Sequence, residues 1–118
     1  MTKAAASAPA DKVALYERLI ATNPRVERKG ATMPYTSLNG HMTSYLGETG
    51  SLVLRLSPDD RARFLDEHAT TLHTAYGIVQ KEFVDVPDAL FLDTGAIAPW
   101  FAASMDWIAT LKPKATKR

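Results

Sequence analysis

The sequence predicts an α+β domain of two layers, in the order α-β(3)-α-β(2)-α, with the helices packed on one face of an antiparallel sheet. Three observations predict it. Apolar residues recur at helical spacing near both ends and once in the middle. Between Ala31 and Ser57 the period drops to two, broken by Asn39-Gly40, the strongest short hairpin signal. A second, shorter pair of strand-like runs follows the middle helix.

Each element has a local reason. Asp11 to Asn23 reads as a helix, with Val13, Tyr16, Leu19 and Ile20 on one face. Pro24 stops it by pushing the preceding residue out of the α region. A basic connector, Arg25 to Gly30, leads to three strands at Ala31–Ser37, His41–Glu48 and Ser51–Leu56. Pro34 cannot donate to a ladder, which places the first strand at an edge or a bulge. In the third, Leu52, Leu54 and Leu56 point one way, and Val53 and Arg55 the other.

The second helix opens with Ser57 as N-cap, Pro58 at the first helical position, and Asp59 and Asp60 at the positive end of the dipole. Phe64, Leu65 and His68 continue its inward face to about Ala69. Strands at Leu72–Tyr76 and Val79–Val86 turn at Gly77, and Pro87 starts one helical turn to Phe91. The last helix, Gly95 to Leu111, carries a stripe of Ile97, Trp100, Phe101, Ser104, Ile108 and Leu111, flanked by Met105 and Trp107.

Composition narrows the function. The chain has 118 residues, enough for one domain at 10–111 between a flexible N-terminus at 1–9 and a basic tail at 112–118. A formal net charge of +1 supplies no global field to attract nucleic acid or a membrane. No cysteine is present, so disulfide, thiolate-metal and thiol-nucleophile chemistry are excluded. The opening residues lack the apolar stretch of a signal peptide, and no run approaches a membrane span. The expected location is the cytoplasm.

Several segments, in this order, are K-G-A-T-M at Lys29–Met33, N-G-H-M at Asn39–Met42, L-V-L-R-L at Leu52–Leu56, E-F-V-D-V-P at Glu82–Pro87 and the closing L-K-P-K-A-T-K. Together they resemble the TfoX N-terminal-domain family, small bacterial proteins related to the N-terminal half of competence regulators. The resemblance implies the same α-β(3)-α-β(2)-α fold and supplies no enzymatic activity that carries over residue by residue. One departure is Met33-Pro34-Tyr35-Thr36, where the family has Met-Phe-Gly-Gly, so glycine-only backbone conformations are not expected there. This marks a divergent, stand-alone member. The competence regulators continue into a second, helical domain, so their gene-regulatory role does not carry over.

Candidate chemistry is sparse. His41, His68 and His73 have no metal-site spacing, and each reads as structural or solvent-exposed. The carboxylate groups Asp59/Asp60 and Asp66/Glu67 read as helix-start charge and a solvated flank, while Glu82 and Asp85 fall on opposite strand faces. No G-x-S-x-G motif or phosphate-cradling glycine loop occurs. No catalytic, metal or cofactor residue is assigned.

Two features remain. Arg25, Arg28 and Lys29 form a basic cluster in the connector, and Lys112, Lys114, Lys117 and Arg118 in the tail are where phosphates would rest, although no aromatic residue interleaves to stack on bases. A solvated tail, dispensable for folding, is the ordinary reading. Trp100 and Trp107, two turns apart on one flank, belong either to the core or to a partner surface, in a homodimer for instance. The functional expectation is a non-enzymatic protein-interaction or regulatory-accessory module with an unknown protein partner. The alternatives are a nucleic-acid-associated module using the tail and a small-ligand binder in a sheet–helix cleft. A chelator is expected to leave thermal unfolding unchanged. Stoichiometric zinc, lost together with the fold on substitution of His41, His68 or His73, would overturn that.

Overall fold

The computed structural model describes residues 9–30, 33–47, 49–75 and 77–112. Residues 1–8 and 113–118 of the predicted terminal segments 1–9 and 112–118, the start of the first strand at 31–32, and the strand ends Glu48 and Tyr76 lie outside these described residues.

Helix α1 spans Ala10–Ile20, with Asp11 in its first turn. It closes before Asn23 because Thr22 intercepts the end of the ladder: its hydroxyl donates to Leu19 C=O at 2.6 Å and its N–H donates to the same carbonyl. Strands β1 (Tyr35–Leu38) and β2 (His41–Leu46) form the predicted hairpin, with Asn39 at φ 55° and Gly40 at φ 79°, as a primed turn requires. Strand β3 is Leu52–Arg55. Gly50 in the β2–β3 turn has φ 90°, and a Cβ there would lie 2.6 Å from Lys12 Cγ, so glycine lets this turn lie against α1.

Helix α2, Pro58–Glu67, starts as predicted, with Ser57 Oγ accepting from Asp60 N–H at 3.2 Å. It ends at Glu67, and Ala69 takes a left-handed φ of 50° to reverse the chain. Strands β4 (Leu72–Ala75) and β5 (Ile78–Asp85) follow, then α3 (Asp88–Phe91) and α4 (Thr94–Ile108). Asp93 caps α4 by accepting from Ala96 N–H at 3.2 Å, which starts the helix one residue before Gly95. Thr110 repeats the Thr22 device, donating its hydroxyl to Trp107 C=O at 2.6 Å, so α4 stops short of Leu111.

The five strands run β1-β2-β3-β5-β4, all neighbours antiparallel, with the helices on one face. Leu46, Leu52, Leu54, Leu56 and Val84 meet Tyr16, Leu19, Phe64, Phe91, Ile97, Phe101 and Met105 in one core. Met105, expected on the flank of the stripe, is fully buried, as is Phe101, while Leu111 is only half-buried. Val53 points away from the core as expected, yet it too is covered, lying between Tyr45 and Asp85 across the ladder.

The β1–β2 ladder shifts register after Thr36, leaving Thr43 as an extra, bulged residue. This turns a small set of hydroxyls into the core. Tyr16 OH and Ser44 Oγ are 2.6 Å apart, Ser44 Oγ and Thr36 Oγ1 are 2.6 Å apart, and Thr36 also bonds Thr43 through their hydroxyls. Ser104 of α4 donates to Thr43 C=O at 3.4 Å. Burial pushes the Tyr16 phenol up to about 12, against the pull of the Ser44 and Thr36 hydroxyls and the charge of Arg28. A raised folded value means that the neutral phenol stabilises the fold fully below its ordinary value of 10.0, and that this contribution is lost as pH rises through about 12. Tyr16→Phe should therefore cost about 1 kcal/mol near neutral pH, the usual net worth of one hydrogen bond. It should also flatten the alkaline decline of stability in chemical denaturation. Parallel decline of parent and variant would remove Tyr16 as the group responsible.

Candidate functional site

The two tryptophans occupy different neighbourhoods. Trp100 is partly buried against the core, edge-on to Phe64 at 5.0 Å and to His68 at 5.8 Å, with the Arg63 guanidinium 5.3 Å from its ring. It locks α4 to α2. Trp107 lies 5.7 Å from the Arg55 guanidinium. Arg55 is ion-paired to Glu82 at 2.5 Å and lies 5.8 Å from the Phe83 ring. The two indoles share no partner among the described residues.

The cations are spread in the same way. Arg25 pairs with Asp106 at 3.0 Å and Arg28 with Glu17 at 3.2 Å, so two of the three connector charges are engaged by carboxylates. Lys112 is exposed, and its backbone C=O accepts from His41 Nε2–H at 2.9 Å, which ties the start of the tail to the β1–β2 hairpin. Lys114, Lys117 and Arg118 lie outside the described residues. Two depressions of about 300 and 400 Å³ flank the connector, one against the end of α1, the other reaching Lys29 and Ser37. Both are lined in part by the connector.

The histidines are likewise dispersed. His68 sits between Phe64 and Trp100, with Nε2 3.7 Å from Glu67. His73 Nδ1 meets Asp85 Oδ1 at 2.6 Å, edge-on to the Tyr45 ring at 5.7 Å, and Tyr45 is 5.9 Å from Phe83. Among the described residues no three His, Asp or Glu side chains are grouped to hold a metal. Glu82 and Asp85 are held by different partners, Arg55 and His73. The His73–Asp85 pair has no sequence signal, because a jump in the β4–β5 register decides which residues meet.

That jump builds the feature most open to a partner. Leu72 pairs with Val84 but His73 pairs with Gln80, so Lys81, Glu82 and Phe83 face no β4 residue. Strand β5 serves twice: Phe83–Asp85 pair with β3, while among the described residues Ile78, Val79 and Gln80 pair only with β4. The outer part is a two-stranded arm, and it carries two of the most exposed large apolar side chains, Ile78 at 64% and Val79 at 50%. The sheet edges differ. Tyr35 of β1 already exchanges both backbone hydrogen bonds with Lys29, at 2.8 and 2.9 Å, next to Pro34 and the bulge. Strand β4 has no such cover among the described residues, and alternate residues turn their N–H and C=O outward.

No protein-family model, curated protein or solved structure matches the chain. No helix among the described residues is long and apolar enough to cross a membrane.

The placement of the α4 aromatics predicts a graded response. Phe101→Ala should cost about 3–5 kcal/mol, the usual range for a buried Phe, and Trp107→Ala clearly less. Equal destabilisation by the two, measured by chemical denaturation, would put Trp107 in the core.

Proposed function

We propose that the chain is a divergent, stand-alone member of the TfoX N-terminal-domain family. In this reading it works in the cytoplasm as a non-enzymatic interaction or regulatory-accessory module, meeting a protein partner through β4 and the adjoining arm. The element order supports the family reading, since it is the order that the resemblance implies. The observation that carries the interaction reading is the uncovered β4 edge beside exposed Ile78 and Val79. An unpaired edge is a template for main-chain pairing, and flanking apolar side chains add area to it. Trp100 serves this purpose less well, because Phe64 and His68 already cover it. The connector adds little to a nucleic-acid reading that rests on the tail, because carboxylates hold Arg25 and Arg28.

The test is a photo-crosslinking side chain placed in turn at Thr74, Val79 and, as an exposed control, Ala109, in living cells of the native host. Discrete protein adducts should form at Thr74 and Val79 and not at Ala109. Adducts at all three alike, or at none, would end the reading.

A further inference from the structure

We infer that the partner on β4 is a second copy of this chain, paired antiparallel across a twofold axis centred on Thr74. The inference rests on the β4 docking reading above and specifies its occupant.

Self-association brings identical charges together, so an edge that accepts its own copy must be free of them. From Ala69 to Gln80 the sequence has no Asp, Glu, Lys, Arg or Pro, the residues by which proteins usually blunt an edge. The register then fixes what meets what. A twofold axis normal to the sheet passes through one residue pair, here Thr74 with Thr74 of the partner subunit. Thr74 pairs with Val79, so the central row across four strands is Val79, Thr74 and the same two residues in reverse. Such a row of β-branched side chains favours strand pairing. The next row sets Gln80 and His73 beside Ala75 and Ile78 of the partner subunit, and no like charges face one another. Pairing about a twofold axis uses the β4 edge of both chains, so assembly through it closes at two, and the Tyr35 end of the β1 edge is already bridged by Lys29.

Thr74 is exposed, so charge there is compatible with the fold. The experiment is sedimentation equilibrium on the purified full chain, its Thr74→Lys and Thr74→Glu variants, and an equimolar mixture of the two. Circular dichroism and thermal unfolding confirm that each variant is folded. The parent should be dimeric. Each variant alone should dissociate, its Kd raised about a hundredfold, the scale of like charges set against each other at an interface. The mixture should recover the dimer, because Lys and Glu then face each other across the axis. A monomeric parent, an unaffected Thr74→Lys variant, or a mixture that stays monomeric would overturn the inference. A monomeric parent whose Thr74 and Val79 positions still crosslink in cells would leave the docking reading standing and assign the edge to a different protein.

Discussion

The buried hydroxyl contacts around Ser44 are the constraint on which the rest of the structure hangs. The bulge at Thr43 brings consecutive hydroxyl side chains into the interior, where an unpaired hydroxyl would cost about 1–3 kcal/mol. Each finds a partner: Tyr16 from α1, Thr36 from β1, and the Thr43 backbone takes Ser104 from α4. Two helices and two strands are therefore positioned by directional bonds as well as by apolar burial. Hydrophobic packing alone tolerates sliding of a helix over a sheet. A tyrosine hydroxyl that must reach one serine does not.

With that end of the sheet fixed, asymmetry gathers at the other. Strand β5 lies between β3 and β4, so the edge falls to the four residues of β4. Strand β3 ends at Arg55, opposite Phe83, so among the described residues the outer half of β5 pairs with β4 alone and a two-stranded ribbon continues past that part of the sheet. Such a ribbon is marginal by itself. Its exposed Ile78 and Val79 gain most from a neighbour, and this is the physical basis for placing the partner there.

The charged and aromatic side chains follow a different logic. Arg55 touches Glu82, Phe83 and Trp107, Arg63 touches Asp60 and Trp100, and Arg25 touches Asp106. Each joins segments distant in sequence or closes a helix turn. Among the described residues these charges fasten elements at the rim of the core.

Local chemistry in the sequence determined the elements themselves. Asn39-Gly40 made a hairpin because both residues accept positive φ, Ser57-Pro58 opened a helix by supplying an acceptor and a preset φ, and the alternating leucines of β3 chose its buried face. The helix ends were less legible, since the Thr22 and Thr110 hydroxyls close the ladders before the apolar pattern runs out. Tertiary structure alone decided the order of strands, the pairing of His73 with Asp85, the separation of Trp100 from Trp107, and a β4 edge left open among the described residues. The physical reason is range. Turn and cap preferences act over a few residues and are written in them, whereas strand order and register depend on which distant surfaces bury best together, a property no local stretch carries.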